Sequence, residues 1–275
     1  MDETRAEWLA RRREFLGASE VAAVCGLDPF KTALDVWASK KGLPRAGDSE
    51  AAGLGHLLEP VILQWYANTR GVKLRQPGTM FGAEPWIAAT PDAITEDGRN
   101  VQCKAVGRYM AHHWDDGAPE YVQAQTQWEM MVAGLPVTDV AALICSTEPR
   151  IIEVAADPSI QSYELEICAR FWRDHVIADR MPELDASETA RAILLALNPE
   201  RGAMVPATAA DLEMVARHIE LDRQIDALNT ERQTLRNKLR QRIGSNQGLE
   251  WPAGRVTWKT NTAGERPLRI HKRTP

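Results

Sequence analysis

The spacing of apolar and polar positions predicts a mixed chain of helices and strands, with a hairpin near its middle. In this central stretch, two apolar runs flank a polar Asp97-Gly98 turn, which predicts two antiparallel strands. Because side chains alternate along a strand, Gln102 and Lys104 share one face of the second strand. The hairpin is expected to bring Asp92 beside that face.

Other segments follow the helical period or the alternation typical of a strand. Predicted helices cover residues 21–24, 33–41, 54–68, 119–133, 159–180, 188–196 and 208–242. Predicted strands cover residues 137–145, 150–154, 256–259 and 268–270. Ser19 with Glu20 is expected to cap the first helix, and Gly134 to end the fourth. We therefore expect an α/β core, a small mixed sheet flanked by helices, in residues 1–190, and a helical and β-hairpin appendage in residues 191–275.

The helix at 208–242 has the apolar spacing of a coiled coil. Apolar side chains recur at alternating intervals of four and three residues, with Arg232 at one of these positions: Leu221, Ile225, Leu228, Leu235 and Leu239. A single long helix of this kind is rarely stable alone, so it needs a partner. That partner is either another part of this chain or a second molecule.

Composition and charge narrow the class of protein. Apolar residues make up 44% of the chain, which is ordinary for a globular protein, and no run approaches the length of a membrane span. The four cysteines lack metal-binding or disulfide spacing, which indicates reduced thiols in a cytoplasmic protein. The formal net charge of -5 argues against DNA binding over the whole surface, but leaves room for a local basic channel.

The central hairpin carries the first candidate chemistry. An acid, an amide oxygen and an ammonium converge if Asp92, Gln102 and Lys104 lie together. Metal-assisted attack on a phosphodiester needs such a set, because a cation stabilises charge on phosphate while a lysine orients or activates water. The alternative is an ordinary surface hairpin with a solvated Lys104.

Two further positions are candidates for binding. Glu59 lies among apolar positions of its helix. A carboxylate there is paired with a cation, binds a metal or has a shifted pKa. The alternative is an exposed Glu59 at the edge of the apolar face. Arg12 precedes a helix start near Ser19, and a guanidinium at a helix N-terminus forms an anion site. Solvated arginines beside a capped helix are the alternative. His56 and the adjacent His112 and His113 lack a ligand partner at suitable spacing and are interpreted as structural.

These residues together resemble a known family. Asp92 with the Gln102-Cys103-Lys104 run resembles the PD-(D/E)xK nuclease signature, in the branch of lambda-type exonucleases and YqaJ-like viral recombinases. Further blocks resemble that branch in order: Trp8-Leu9, Arg12 and Gly17–Glu20; Gly55–Pro60; Tyr121, Gln125–Gln127 and Met130; Phe171, Trp172 and Pro182. The resemblance covers about residues 5–190.

The resemblance implies a fold and a set of site residues. It implies a restriction-endonuclease-like core in which Mg²⁺, with Mn²⁺ as a substitute, is held by Glu59, Asp92, Gln102 and the backbone carbonyl of Cys103. Gln125 would orient the catalytic Lys104. The matching residues Arg12 and Ser19 would hold the 5′-phosphate of a DNA end. The family usually has Glu or Asp at position 102, so this chain departs from the pattern there.

The expected function is a metal-dependent DNA exonuclease acting on duplex ends, with 5′→3′ polarity and a role in phage-type recombination implied by the resemblance alone. The implied partners are double-stranded DNA ends, a single-strand-annealing protein and further copies of the chain, in the cytoplasm of a bacterial host cell, with no membrane. The first rival is a non-catalytic DNA-end-binding or scaffold protein whose nuclease fold is impaired by Gln102. A coiled-coil interaction protein is the second rival.

Overall fold

The computed structural model describes residues 7, 10–44, 50–200 and 202–272, and for residues 50–52 the backbone alone. Trp8 and Leu9 of the opening block lie outside the described residues. The chain divides into two compact units, the first of which ends at Glu200. That the first unit is a nuclease core and the second an appendage stays a prediction.

The first unit contains two β-sheets. The strands are β1 (Leu16–Gly17), β2 (Leu74–Arg75), β3 (Met80–Phe81), β4 (Ile87–Ala89), β5 (Ala93–Thr95), β6 (Asn100–Val106), β7 (Val137–Ile144) and β8 (Glu148–Ala155). The larger sheet has the order β2-β5-β6-β7-β8, and the smaller has the order β1-β4-β3. In the larger sheet β6 and β7 are parallel and the other neighbours are antiparallel, so the predicted mixed sheet is confirmed.

Helices cover both faces of the larger sheet. The α-helices in the described part of this unit are α1 (Ala18–Val24), α2 (Ala33–Lys41), α3 (Glu50–Arg70), α4 (Glu120–Ala133), α5 (Pro158–Phe171) and α6 (Glu188–Leu197). On one face, Ile62 and Tyr66 of α3 pack with Val101 of β6. On the other face, Val122 of α4 packs with Val140 of β7. The central strands are thus buried on both sides, and α3 and α4 reach the sheet from opposite faces.

The local sequence accounts for the position of α4. Pro119 precedes its first residue, and Glu120 places an acid in the first turn, where the helix dipole favours negative charge. Gly134 ends the helix with φ of 64°, a left-handed conformation that glycine adopts without strain. The predicted bounds of this helix are therefore confirmed.

A buried ion cluster fixes α3 against the sheet. Asp139 of β7 is fully buried and accepts a 2.6 Å hydrogen bond from the Tyr66 hydroxyl of α3. Arg99, beside the central turn, also donates to both Asp139 oxygens, at 2.6 and 3.2 Å. These paired contacts keep the pKa of Asp139 low despite its burial, which by itself would raise it. The cluster holds the helix that carries Glu59 in a defined place on the sheet.

Three expectations about helices are wrong. Gly17, not Ser19, is the residue before α1, and its N–H donates to Glu20 Oε2 at 2.9 Å. The predicted helix at 159–180 ends its α-helical part at Phe171 and continues as a π-helical turn over Trp172–Ile177. The wider turn lets two consecutive aromatic side chains, Phe171 and Trp172, both reach the core. The apolar positions around Glu59 in α3 are also less buried than expected, because Leu57 and Val61 on either side of it are exposed.

The second unit combines the predicted long helix with a three-stranded sheet. The elements are α7 (Ala209–Ile243), β9 (Gly248–Trp251), β10 (Gly254–Trp258) and β11 (Leu268–Lys272). Thr208 caps α7 in a capping box with Asp211. β10 and β11 form the predicted hairpin, while β9 is an additional strand. Ile243 of α7 packs with Val256 and Leu268 of this sheet. Of the helices in the described ranges, none is long and apolar enough to cross a bilayer.

Candidate active site

The central hairpin brings Asp92 against β6. Ala93 pairs with Val101 across the two strands, so Asp92 lies opposite Gln102. The Asp92 Oδ2 atom accepts hydrogen bonds from Gln102 Nε2 and from the backbone N–H of Cys103, both at 2.7 Å. Gly98 supplies the positive φ of 84° that the connecting turn requires. The sequence expectation that a hairpin joins Asp92 to the polar face is confirmed.

Lys104 is held by a side chain of α4. Its ammonium donates a 2.7 Å hydrogen bond to Gln125 Oε1. Gln127, two residues further along the helix, faces away from Lys104 and accepts from the backbone N–H of Asp157 at 2.9 Å. Of Gln125 and Gln127, Gln125 is thus the one that reaches the site.

Gln102 joins the two halves of the site through both atoms of its amide. Its Nε2 faces Asp92, and its Oε1 accepts from Gln125 Nε2 at 3.1 Å. The charged groups at the ends of this chain fix the direction of each amide, because an ionised carboxylate accepts and an ammonium donates. In this arrangement the nitrogen of Gln102, which cannot ligate a metal, is the atom nearest to Asp92.

Glu129 is a site residue that the sequence analysis missed. It lies one turn after Gln125 on α4, is 1% exposed, and its Oε1 accepts from Gln125 Nε2 at 2.8 Å. Its Oε2 accepts from Asn100 Nδ2 at 2.8 Å. The available signal was its interval of four residues from Gln125, which places both on one helix face. It is not among the residues on which the family resemblance rests.

Glu59 reaches the site from α3. Its side chain is 30% exposed, and its Oε2 lies 3.8 Å from Nδ1 of His56 one helical turn earlier. Burial raises the pKa of Asp92 to about 6, and the negative charge of Glu59 adds to that effect. Burial raises the pKa of Glu129 to about 7, with a further contribution from Asp92. Glu59 thus acts on the pKa of Asp92, and Asp92 on the pKa of Glu129.

The oxygen atoms present suit a hard cation. They are the carboxylates of Glu59 and Asp92 and the carbonyl of Cys103. Among the described residues, the hydrogen bonds to Asp92 both end on Oδ2, so Oδ1 remains the oxygen that a cation would use. Mg²⁺ is usually held through one or two carboxylates together with water and substrate phosphate, which fits this donor set. Within the described part of the chain, no group of three or more His, Cys, Asp or Glu side chains is arranged to hold a metal.

The structure also brings together the predicted anion-binding pair. Arg12 donates from its guanidinium to the Ser19 hydroxyl at 3.1 Å, at the start of α1. The same guanidinium lies 3.6 Å from Glu20, whose other oxygen accepts from Lys40 at 2.6 Å. Glu20 thus lies between two cations, Arg12 and Lys40.

Comparison with known proteins identifies relatives of this chain. Residues 7–136 match the family described as the YqaJ-like viral recombinase domain. The Uncharacterized protein YqaJ of Bacillus subtilis (strain 168) is 26% identical over 247 residues, which cover 86% of this chain and 77% of that protein. The family resemblance inferred from the sequence is thus confirmed.

Several solved structures are similar in fold to this chain. The crystal structure of LHK-Exo in complex with dAMP matches with a TM-score of 0.55 and 17% identity, over 63% of this chain and 93% of that chain. The alkaline exonuclease LHK-Exo from Laribacter hongkongensis matches with a TM-score of 0.54 and 18% identity over the same shares, 63% and 93%. A phage-related exonuclease from Haemophilus somnus 129PT has a TM-score of 0.50 and 12% identity, over 60% and 96%. These likenesses show a restriction-endonuclease-like fold.

Proposed function

Residues 7–136 of this chain match the YqaJ-like viral recombinase domain, and from that match we propose that the chain is a Mg²⁺-dependent exonuclease of duplex DNA ends. The observation that carries the proposal is the unbroken run of hydrogen bonds from Asp92 through Gln102 and Gln125 to Lys104. It holds an acid beside β6 and an ammonium on β6 at fixed positions. Metal-assisted phosphodiester hydrolysis requires this combination.

Glu59, Asp92 and the Cys103 carbonyl would hold the metal ion, and Mn²⁺ would substitute for Mg²⁺. A bound divalent cation supplies charge stabilisation to the phosphate and lowers the pKa of a water. Gln102 is the fourth proposed ligand. It would have to turn its oxygen away from Gln125, because its nitrogen now faces Asp92.

Lys104 is the proposed catalytic residue of the chain itself. Its ammonium, held by Gln125, would orient the attacking water and stabilise the charge that develops on the phosphate. Gln125 accepts one of the three ammonium protons, so two donors remain for water or phosphate. The position of Gln125 therefore determines where those donors point.

Arg12 and Ser19 would bind the 5′-phosphate of the DNA end. Their 3.1 Å contact at the start of α1 presents a guanidinium, a hydroxyl and helix N–H groups to one anion. Binding of the 5′-phosphate would direct hydrolysis to begin at the 5′ end of the DNA. The relative LHK-Exo was crystallised with dAMP, and we propose that this chain likewise releases deoxynucleoside monophosphates.

The family membership supports a role in phage-type recombination. An exonuclease working from 5′ ends leaves single-stranded 3′ tails, the substrate of a single-strand-annealing protein. Such a protein is the proposed partner, in the cytoplasm of a bacterial host cell. Further copies of the chain are the other proposed partners.

One observation favours a second candidate function, DNA-end binding without cleavage. Gln102 stands where the family usually has an acid, and its amide nitrogen faces Asp92. With two carboxylates at the proposed metal position, the fold could bind DNA ends through Arg12 and Ser19 and leave them intact.

A comparison of linear and covalently closed circular duplex of one sequence separates these functions. With Mg²⁺ or Mn²⁺, the proposed exonuclease degrades the linear DNA to mononucleotides and leaves the circle intact, and EDTA abolishes the reaction. Cleavage of the circle would contradict end-dependent attack. Retention of the linear DNA in a gel shift, with no degradation under either metal, would select the second function.

A further inference from the structure

Glu129 is a fully buried acid connected to the site but absent from the proposed chemistry. Its two oxygens accept from Gln125 and from Asn100, each at 2.8 Å. Asn100 in turn donates to the Thr138 hydroxyl of β7 at 3.0 Å, which anchors the cluster to the sheet. An acid held by two neutral donors from different elements is fixed in place.

The direction of the hydrogen bonds depends on this acid. Both oxygens of Glu129 accept hydrogen bonds, one from Gln125 and one from Asn100, so the NH₂ group of Gln125 faces Glu129. Gln125 Oε1 then faces Lys104, and the same NH₂ group donates to Gln102 Oε1 at 3.1 Å. Gln102 consequently directs its own NH₂ group to Asp92. The orientation of both glutamines follows from the charge at position 129.

The neutral side chain of Gln102 also suits its other neighbour, Asp92. Gln102 contacts Asp92 at 2.7 Å through an N–H. A carboxylate at position 102 could make that contact only with a proton or a cation between the two acids. The neutral residue on β6 is therefore compatible with an acid on α4, at the other end of the same chain of hydrogen bonds.

We propose that Glu129 is a positioning residue that supplies, from α4, the negative charge that Gln102 does not supply from β6, and that fixes Gln125 and Lys104 for the reaction. This inference rests on the proposed nuclease function. Glu129 is not among the proposed ligands of the metal or the proposed contacts of the DNA end. It acts through Gln125, which it holds in the orientation that accepts from Lys104.

Replacing Glu129 by glutamine tests the inference, because the amide can both donate and accept. Gln125 can then turn over and present an NH₂ group to the Lys104 ammonium, which disrupts the contact. We expect Glu129→Gln to lower kcat on end-labelled linear duplex by about 10- to 100-fold at saturating Mg²⁺, the range typical of residues that orient a site from behind. KM for DNA and the gel-shift affinity without metal should stay at the wild-type value.

Glu164→Gln is the matched control. Glu164 is also a buried acid, on α5, and it shares no hydrogen bond with the site among the described residues. This control should keep the wild-type kcat. A wild-type kcat for Glu129→Gln, or an equal loss in both variants, would overturn the inference while leaving the proposed function standing.

A melting cycle without metal tests the link between positions 102 and 129 independently of activity. In EDTA, Gln102→Glu should lower the melting temperature. The new acid then faces Asp92 on one side and shares the NH₂ group of Gln125 with Glu129 on the other. Adding Glu129→Gln to that variant should recover part of the loss, whereas adding Glu166→Gln, at an exposed position of α5, should not. Additive melting shifts would contradict the link even if the wild type cleaves no DNA.

If Glu129→Gln does not fold, Glu129→Asp provides the kinetic test. It keeps the charge on a side chain shorter by one methylene, which withdraws the carboxylate from Gln125. We expect a loss of kcat of about tenfold with unchanged KM. A wild-type kcat for this variant would count against the inference.

Discussion

The ammonium of Lys104 lies 2.7 Å from Oε1 of Gln125, although the two residues belong to a strand and to a helix 21 positions apart. Lys104 projects from β6 toward α4, and Gln125 projects from α4 toward β6. Since a lysine side chain has many rotamers, an acceptor at this distance selects the one that the site uses. The pair therefore links the fold, which sets the distance between strand and helix, to the proposed chemistry.

The proposed metal ligands lead to a first prediction. Asp92→Asn and Glu59→Gln should each raise the Mg²⁺ concentration needed for half-maximal cleavage, because amides replace carboxylates poorly as ligands of hard cations. Asp92→Asn should have the larger effect, since Asp92 is the more buried acid. Activity measured across a Mg²⁺ titration gives the comparison, with Glu166→Gln on α5 as the control. An unchanged Mg²⁺ requirement in Asp92→Asn would rule out ligation by that residue.

The Arg12–Ser19 pair leads to a second prediction. Arg12→Ala should slow the digestion of 5′-phosphorylated ends more than that of 5′-hydroxyl ends, because the guanidinium is expected to bind the terminal phosphate. Initial rates on the two substrates give the ratio, and Arg173→Ala, at an exposed ion pair with Asp174, is the control. Equal losses on both ends would reduce Arg12 to a general contact with the DNA backbone.

Glu164 leads to a prediction about pH and stability. It is 2% exposed, and its carboxyl oxygens lack a hydrogen-bond partner among the described residues. Burial raises its pKa from 4.5 to about 8, and the neighbouring Cys25 adds to the shift. Between these two values the folded chain retains a proton that the unfolded chain releases, so stability falls as the pH rises.

Glu164→Gln removes this proton uptake. The fall in melting temperature from about pH 5 to about pH 8 should be smaller in the variant than in the wild type, because the amide does not titrate. Glu166→Gln, at an exposed position of the same helix, should leave the wild-type slope unchanged. Parallel pH profiles for wild type and Glu164→Gln would show that Glu164 finds a partner for its charge.

The long helix α7 leads to a prediction about assembly. Leu239 packs against the sheet of β9, β10 and β11, whereas Leu228 is 64% exposed. Three further side chains of the coiled-coil spacing are exposed as well: Leu221, Ile225 and Leu235. We expect this stripe to bind a second copy of the chain, so Leu228→Glu should lower the mass measured by light scattering. Gln233→Glu, beside the stripe, should keep the wild-type mass. An identical mass for wild type and Leu228→Glu would show that α7 does not mediate self-association.

Local sequence signals were sufficient for much of the fold. The Asp97-Gly98 turn marked the hairpin, and the pair of Pro119 and Gly134 marked both ends of α4, because these residues have backbone preferences that act over a few positions. The alternation along β6 then placed Gln102 and Lys104 on one face. These predictions required no knowledge of which elements pack together.

Contacts between distant elements were harder to predict. Glu129 looked like an ordinary helix residue because its partners, Asn100 and Gln125, meet only after β6 and α4 pack. The orientation of the Gln102 amide depends on charges from three elements, so the sequence left open whether it ligates or hydrogen-bonds. The Ser19 cap was wrong for a related reason, since Glu20 is drawn to the Gly17 N–H and the Ser19 hydroxyl bonds to Arg12.

The most direct test of the account is a time course of end-labelled linear duplex with wild type and Lys104→Ala, each with Mg²⁺ and with EDTA. Wild type should shorten the DNA in Mg²⁺ alone. Lys104→Ala should be slower by about 10²- to 10⁴-fold, the usual loss when a group that positions a reacting water is removed, with wild-type melting and gel-shift affinity. Lys73→Ala, at an exposed pair with Glu96, controls for loss of surface charge. Degradation by Lys104→Ala at the wild-type rate would contradict the proposed active site.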